Sequence, residues 1–160
     1  MQPVSPQVVE LLNDALTLEL TVINTYFLNA RMLDSWGLGR LGKAFYDLSI
    51  AEMKDADELI RRILLFDGHP NVQRLGPITA GESAEEMLVL GLEGEKRAVA
   101  QFNAGARECH ALGDHGSAAV FEAMVADEER HVDWFEAQLG AIARVGAQQY
   151  LAQQLGAPAG

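Results

Sequence analysis

Residues 121–142 read FEAMVADEERHVDWFEAQLGAI, and one acidic residue interrupts an otherwise apolar face of this stretch. At seven-residue spacing that face consists of Phe121, Glu128, Phe135 and Ile142. Residues seven apart lie on one side of an α-helix, so Glu128 has large apolar neighbours one heptad away in both directions. The pattern predicts a helix that directs Glu128 into the interior of a helical bundle.

Three other segments carry the same interrupted face. Their members are Leu12, Glu19, Tyr26 and Leu33; Phe45, Glu52, Leu59 and Phe66; and Leu88, Glu95, Phe102 and Cys109. The first and second acids are 33 residues apart, and so are the third and fourth. Three residues after the second acid of each pair comes another potential metal ligand, Asp55 or His131, and residues three apart share a helix face. The sequence thus predicts two matched half-sites at one level of a bundle.

The rest of the chain is also helical in pattern, because apolar residues recur at three- and four-residue spacing and no stretch alternates as a half-buried strand does. The predicted helices run from Ser5-Pro6 to about Asp34, from about Arg40 to Phe66, from the capping box Ser83–Glu86 to about Leu112, from the turn Gly113-Asp114 to near Gly146, and over about Ala147 to Leu155. We expect the final Ala-Pro-Ala-Gly to fray.

The loops between the four long helices are short, long and short, so the first two helices pair, the last two pair, and the long segment crosses between the pairs. We predict an all-α four-helix bundle with one crossover connection and a short C-terminal fifth helix, forming one domain over residues 1–160. Gly91, Gly94 and Gly105 each cost the third helix about 1 kcal/mol relative to alanine. Close contacts between helices would explain them.

The composition excludes several classes of protein. At 160 residues and 49% apolar content the chain can bury a core without disulfides, and its single cysteine, Cys109, cannot build a Cys-based metal site. The first basic residue is Arg31, so the charged start of a secretory signal is missing, and no apolar run approaches the ~18 residues of a membrane span. We therefore expect a cytoplasmic location. The net charge of −11 disfavours nucleic acid and anionic membrane surfaces as partners.

The interior acids predict a metal site. Five buried carboxylates beside one histidine demand a counter-charge, and no lysine or arginine occupies the seam positions. Carboxylate and imidazole donors suit two ions of iron or manganese. Any single helical glutamate is ordinarily a solvated surface residue, so the prediction depends on four acids at matched spacing. The candidate ligands are Glu19, Glu52, Asp55, Glu95, Glu128 and His131.

Several motifs resemble bacterioferritin, and the resemblance covers essentially the whole chain. They are LTVINTYFLNARML at 20–33, WGL at 36–38, SIAEMK at 49–54, ILLFDGHPNVQ at 63–73 and DEERHVDW at 127–134. The pair Glu52-Met53 within SIAEMK separates bacterioferritins from ordinary ferritins. The resemblance implies a ferritin-like fold and a catalytic di-iron centre, with Glu52 and Glu128 bridging the irons. Its ligands fall on Glu19, Glu52, Glu95, Glu128 and His131.

The resemblance also implies cofactors and partners. It makes Met53 the axial ligand of haem b, paired with Met53 of the partner subunit, and it implies a hollow 24-subunit shell that stores ferric mineral, with a ferredoxin-type protein as reductant. Helical geometry allows the haem role, because Met53 lies about 100° around its helix from Glu52. Without the resemblance, Met53 would be interpreted as interface packing.

The sequence departs from the family pattern near the expected centre. Asp55 stands where the family has a ligand histidine, Leu59 where it has a second tyrosine, Asp47 where it has a histidine on the inner shell surface, and Ala51 where it has an acid on that surface. Aspartate is shorter than histidine and adds a negative charge, so we expect an altered or damaged ferroxidase half-site. Tyr26 and Trp134 remain as aromatic residues near the centre.

Three hypotheses of different classes follow. The first is a ferroxidase that oxidises Fe(II) with peroxide or dioxygen and stores the ferric product in a homo-oligomeric shell. The second, which Asp55 supports, is a haem-carrying structural subunit co-assembled with a second, fully liganded bacterioferritin subunit. The third is a metal-free helical interaction module.

The sequence argues against one other class of di-iron protein and leaves a second class open. The missing cysteine pairs disfavour a rubrerythrin-like peroxidase, whereas a small soluble oxygenase with a reductase partner stays open. The remaining histidines, His69, His110 and His115, lie at loops or helix ends and are interpreted as surface residues.

Overall fold

The computed structural model describes residues 1–158, and within that range it contains helices and no named strand. The helices are α1 Pro6–Ser35, α2 Gly39–Leu65, α3 Ala84–Ala111, α4 His115–Val145 and α5 Ala147–Ala152. The α1–α2 pair packs together, as does the α3–α4 pair, and residues 66–83 cross between them. The predicted all-α bundle with one crossover and a short fifth helix is confirmed.

The predicted caps define where the long helices begin. The Ser5 hydroxyl accepts a hydrogen bond from the Gln7 N–H, and Pro6 follows at the first helical position, where it loses no backbone bond. Ser83 accepts from the Glu86 N–H at 3.1 Å. Asp114 accepts from the Ser117 N–H at 2.9 Å after Gly113, whose φ of +80° allows the sharp turn out of α3. These bonds satisfy helix-end donors that otherwise lack partners.

Three side chains on one face of α1 hold the crossover segment in place. Asn13 accepts a hydrogen bond from the Asn71 N–H at 2.7 Å, Thr17 accepts from Arg74 at 2.7 Å, and Thr21 accepts from the Gly76 N–H at 2.8 Å. The three are spaced four residues apart, so each turn of α1 supplies one contact. The crossover therefore follows α1 instead of looping freely into solvent.

The core consists of two apolar layers. One layer centres on Leu12, Leu16, Leu59, Phe102 and Phe121, and the other on Tyr26, Leu33, Phe45, Leu88 and Phe135. The four seam glutamates lie between the layers and are buried, so the predicted inward orientation is confirmed. Cys109, the last member of the α3 face, is fully buried.

Two of the three glycines in α3 allow a close helix contact. A Cβ on Gly105 would lie 2.8 Å from the Phe121 ring, and one on Gly91 would overlap the Phe135 ring. Both aromatic rings belong to α4, so only glycine lets α3 and α4 approach this closely. The expectation is wrong for Gly94, where an added Cβ would meet nothing nearer than 4.0 Å.

The C-terminal segment differs most from its prediction. Helix α5 ends at Ala152 rather than near Leu155, and the chain then pairs with the α1–α2 turn. The Arg40 N–H donates to the Gln154 carbonyl at 3.1 Å, and the Gly156 N–H donates to the Gly37 carbonyl at 3.2 Å. Of the four residues expected to fray, Ala157 places its carbonyl against Gly39, and residues 159–160 lie outside the described range.

Among residues 1–158, none of the helices combines the length and apolar character that a membrane crossing requires.

Candidate metal centre

The four long helices each contribute one glutamate to a single cluster between the two apolar layers. Glu19 exposes 2% of its surface, and Glu52, Glu95 and Glu128 expose 1% each. Burial of four acids at one level follows from the heptad register, because each replaces an apolar residue of its seam.

Two overlapping groups of donor atoms form within this cluster. One consists of Glu52, Glu95, Glu128 and His131, and the other of Glu19, Glu52, Asp55 and Glu128. In each group, one ligand atom per residue lies within 4.8 Å of all the others. Glu52 and Glu128 belong to both groups, so their carboxylates lie where they can contact two ions at once. The structure brings together all six candidate ligands.

His131 provides the positive charge among these acids. Its Nδ1 lies 3.0 Å from Glu52 Oε1, 3.1 Å from Glu128 Oε2 and 3.8 Å from Glu95 Oε2. Hydrogen-bond geometry is met only towards Glu128. Burial lowers the pKa of His131, but attraction to the three neighbouring carboxylates outweighs this and raises the pKa to about 12.

Burial and mutual repulsion hold protons on several of the acids. Burial, with repulsion from Glu52, raises the pKa of Glu19 well above its usual value. Burial also raises the pKa of Glu52 to about 7 and that of Glu128 to about 9, against the opposing effect of His131. For Asp55, burial raises the pKa even though His131 lowers it. Without ions, the cluster therefore retains protons near neutral pH.

Glu95 shows the opposite shift. Burial raises the pKa of Glu95, but the proximity of His131 and Glu128 and the hydrogen bond from Tyr26 outweigh burial and lower it. The Tyr26 hydroxyl donates to Glu95 Oε1. Sequence reasoning kept Tyr26 as an aromatic residue near the centre and missed this bond. Its position one heptad after Glu19, on an inward-facing seam, was the available signal.

Unpartnered oxygens show that the cluster fits a cation. Glu19 Oε2 and both carboxylate oxygens of Glu52 are buried and accept no hydrogen bond from any described residue. Buried polar atoms are nearly always satisfied, and the two acids that carry these three unsatisfied oxygens belong to one donor group. Oxygen donors beside one imidazole suit first-row divalent metals. The donor set therefore fits a metal site.

Comparison with known proteins is consistent with this geometry. Residues 9–145 match the family described as Ferritin-like domain. The bacterioferritin of Brucella melitensis is 44% identical over 145 residues, covering 91% of this chain and 90% of that protein. The chain belongs to the bacterioferritin family. Mycobacterium tuberculosis bacterioferritin BfrA is 40% identical over 153 residues, covering 96% of each chain.

A solved bacterioferritin also shares the fold. The structure of Mycobacterium tuberculosis bacterioferritin BfrA superposes with a TM-score of 0.94 at 40% identity and covers 98% of both chains. The predicted ferritin-like fold is thereby confirmed.

The other residues singled out in the sequence lie outside the cluster. Met53 exposes 50% of its surface on α2, away from the bundle interior. Leu59 is fully buried in the core. Asp47 pairs with Lys43 at the surface, and Asp47 and Ala51 line a cleft of about 330 Å³ that reaches His131 and Trp134. This cleft connects the surface with the metal centre.

Proposed function

We propose that this chain is a bacterioferritin subunit that binds two Fe(II) ions in its glutamate cluster, oxidises them and stores the ferric product in a 24-subunit shell. Family membership and fold support iron storage. The observation that carries the proposal is the pair of overlapping donor groups that share Glu52 and Glu128.

The ferrous ions are substrates, and side chains of this protein supply the atoms that bind them. Glu95 and His131 bind one ion, Glu19 and Asp55 bind the other, and Glu52 and Glu128 bridge them. Two ferrous ions each give up one electron and together reduce one hydrogen peroxide to two hydroxides. Before ions bind, His131 and Glu128 carry protons that the incoming cations displace.

Asp55 makes the two half-sites chemically unequal. We propose that it stands in place of a family histidine, as the sequence resemblance implies. An oxygen donor then replaces an imidazole, and the Glu19 half-site binds its ion through carboxylates alone. Harder cations prefer such a site, so we expect slower oxidation of the ferrous ion held there.

Met53 supports the haem part of the proposal. Its thioether is exposed on the outer face of α2, where a partner subunit can approach it, and a thioether is an established haem-iron ligand. Two copies of Met53 facing each other would hold haem b between subunits. We propose that a ferredoxin-type protein delivers electrons for iron release and that the assembly is cytoplasmic.

A second candidate function rests on Asp55. In this alternative, the chain is a haem-carrying structural subunit of a mixed shell, with little oxidase activity of its own. It is favoured by the donor set of the Glu19 half-site, which is made of carboxylates alone and lacks an imidazole.

One experiment separates the two candidates. Initial rates of Fe(II) oxidation by the homopolymer are compared with those of Asp55→His, with Asp57→His as the matched control. Asp57 is an exposed residue of α2 that pairs with Arg61 outside the cluster. A low rate that Asp55→His increases about tenfold and Asp57→His leaves unchanged favours the structural subunit.

The other outcomes are equally informative. A rapid wild-type rate that Asp55→His does not improve favours the ferroxidase. Absence of stoichiometric Fe(II) binding in the wild-type protein would contradict both candidates and favour a metal-free helical module.

A further inference from the structure

Two histidines meet at the turn between α3 and α4, far from the glutamate cluster. His110 Nδ1 lies 3.1 Å from His115 Nδ1, and the rings are tilted by 56°. Both residues are exposed. Fifteen residues separate Glu95 from His110 along α3, which corresponds to about 22 Å of helix. This pair is therefore separate from the donors of the metal centre.

The spacing of the two nitrogens matches that of neighbouring ligands on one metal ion. With metal–nitrogen bonds of about 2.0–2.1 Å, two ligand nitrogens lie about 2.9 Å apart at a right angle and about 3.4 Å apart at a tetrahedral angle. The observed 3.1 Å falls between these values. The two nitrogens are therefore spaced as two ligands of a single cation are.

A carboxylate orients one of the two rings. His110 Nε2 lies 2.8 Å from Glu122 Oε1, so Glu122 accepts a hydrogen bond from that nitrogen. Metal-binding histidines almost always donate their second ring N–H to a carboxylate, carbonyl or water, which fixes the tautomer and leaves the other nitrogen free to bind. The contact with Glu122 leaves Nδ1 of His110 as the donor facing His115.

The backbone that carries His115 is firmly held. Its neighbour Asp114 is 6% exposed and accepts hydrogen bonds from Arg62 Nη2 at 3.0 Å and from the Ser117 hydroxyl at 3.0 Å. The Asp114 N–H donates to the Cys109 carbonyl at 2.8 Å. These bonds tie the start of α4 to α2 and to the end of α3, so the two histidines are positioned by a rigid turn.

We propose that His110 and His115 form a second, exposed binding site for a divalent cation that prefers imidazole, such as Zn²⁺, Cu²⁺ or Ni²⁺. Their Nδ1 atoms bind the ion, Glu122 orients His110, and water completes the coordination. With only two protein ligands, the site exchanges its ion readily with solution. It adds a point of metal capture on the surface of the chain, distinct from the interior centre.

The test uses the assembled protein and Zn²⁺ alone as the probe. The number of Zn²⁺ ions bound per chain is measured by equilibrium dialysis for wild type, His110→Ala, His115→Ala and the control His69→Ala, an exposed histidine of the crossover. We expect each of the first two variants to bind one ion fewer per chain and the control to match wild type. Equal binding by all four proteins overturns the proposal.

Two further measurements keep the result specific to this site. The Cu²⁺ form is examined by electron paramagnetic resonance, where the wild-type signal from this site should show two nitrogen ligands and His115→Ala should lose it. Glu122→Gln should weaken Zn²⁺ binding about tenfold, whereas Glu58→Gln, at an exposed glutamate of α2, should not. Initial Fe(II) oxidation should be unchanged in His115→Ala, because neither histidine belongs to the interior centre.

Discussion

The two halves of the metal centre share one geometry and differ in charge. In the α3–α4 half, an imidazole stands three residues after the acid, and the pKa of Glu95 is lowered. In the α1–α2 half, Asp55 occupies the corresponding place, and the pKa of Glu19 is raised well above its usual value. His131 thus supplies a positive charge beside Glu95, whereas Glu19, whose pKa is raised first by burial and then by repulsion from Glu52, has only carboxylates in its donor group.

The largest expected effect comes from removing an acid that both halves share. Glu128→Ala should lower Fe(II) affinity by more than about 100-fold, because it removes one ligand from each donor group. Changing a residue that only orients a ligand typically costs less than this. Anaerobic Fe(II) titration measures this, with Glu129→Ala as control at an exposed neighbour. Retention of one tightly bound ion per chain in Glu128→Ala would contradict the shared role.

In the metal-free protein, substitutions in the two halves should change stability in opposite directions. His131→Ala removes the cation that Glu52, Glu95 and Glu128 surround, and it should lower the free energy of unfolding by about 3 kcal/mol. Asp55→Asn removes one of the crowded negative charges and should raise the thermal midpoint slightly. Both are measured by thermal and urea denaturation of chelator-treated protein at pH 7. Shifts of the same sign in the two variants would show that charge balance does not distinguish the halves.

Metal affinity should rise with pH. In the metal-free fold the pKa of Glu128 is raised from 4.5 to about 9, so this group stabilises the metal-free protein below pH 4.5, and that contribution is lost as pH rises towards 9. A bound ion keeps the carboxylate ionised. The free-energy difference between the metal-loaded and the metal-free protein should therefore increase with pH. Metal affinity should rise by up to about tenfold per pH unit for each proton displaced.

Isothermal titration of His115→Ala, which lacks the exposed histidine pair, with Zn²⁺ between pH 6 and pH 8 in buffers of different ionisation enthalpy measures both the affinity of the glutamate cluster and the protons released. Mn²⁺ provides a second probe with a preference for oxygen donors. Binding that releases no protons across this range would contradict the raised pKa values.

The smallest expected effect concerns one hydrogen bond in the α3–α4 half. Tyr26→Phe removes the donor to Glu95 and should weaken metal binding only severalfold, because a hydrogen bond to a charged group contributes about 1.5–3 kcal/mol and the incoming ion replaces part of it. The remote variant Tyr46→Phe on α2 is the control. Comparable weakening in both variants would mean that the Glu95 contact has no specific role.

Sequence alone located the fold and the acids because both depend on local regularities. A glutamate in an apolar seam identifies its helix face, and Ser5, Ser83 and Asp114 identify helix starts to within about one residue. The unequal charge of the two halves also follows from Asp55 and His131 alone. None of these inferences requires knowing how distant segments meet.

Sequence reasoning failed where distant or backbone contacts decide the structure. Pairing of Gln154 and Gly156 with the α1–α2 turn uses main-chain groups, which leave no trace in side-chain pattern. The contact of His110 with His115 depends on the angle of a turn that hydropathy does not define. Gly94 is an error of the opposite kind. A glycine within a helix suggested a close contact between helices, and the structure contains no such contact at Gly94.

Two glycine–phenylalanine contacts define the separation of α3 and α4 at the metal centre. Gly91 meets Phe135 on one side of the acids, Gly105 meets Phe121 on the other, and each pair is two heptads from its counterpart. Backbone distance in this half is therefore imposed by apolar packing above and below the ligands rather than by coordination. The donors are preorganised, so no part of the binding free energy goes into drawing these helices together when an ion arrives.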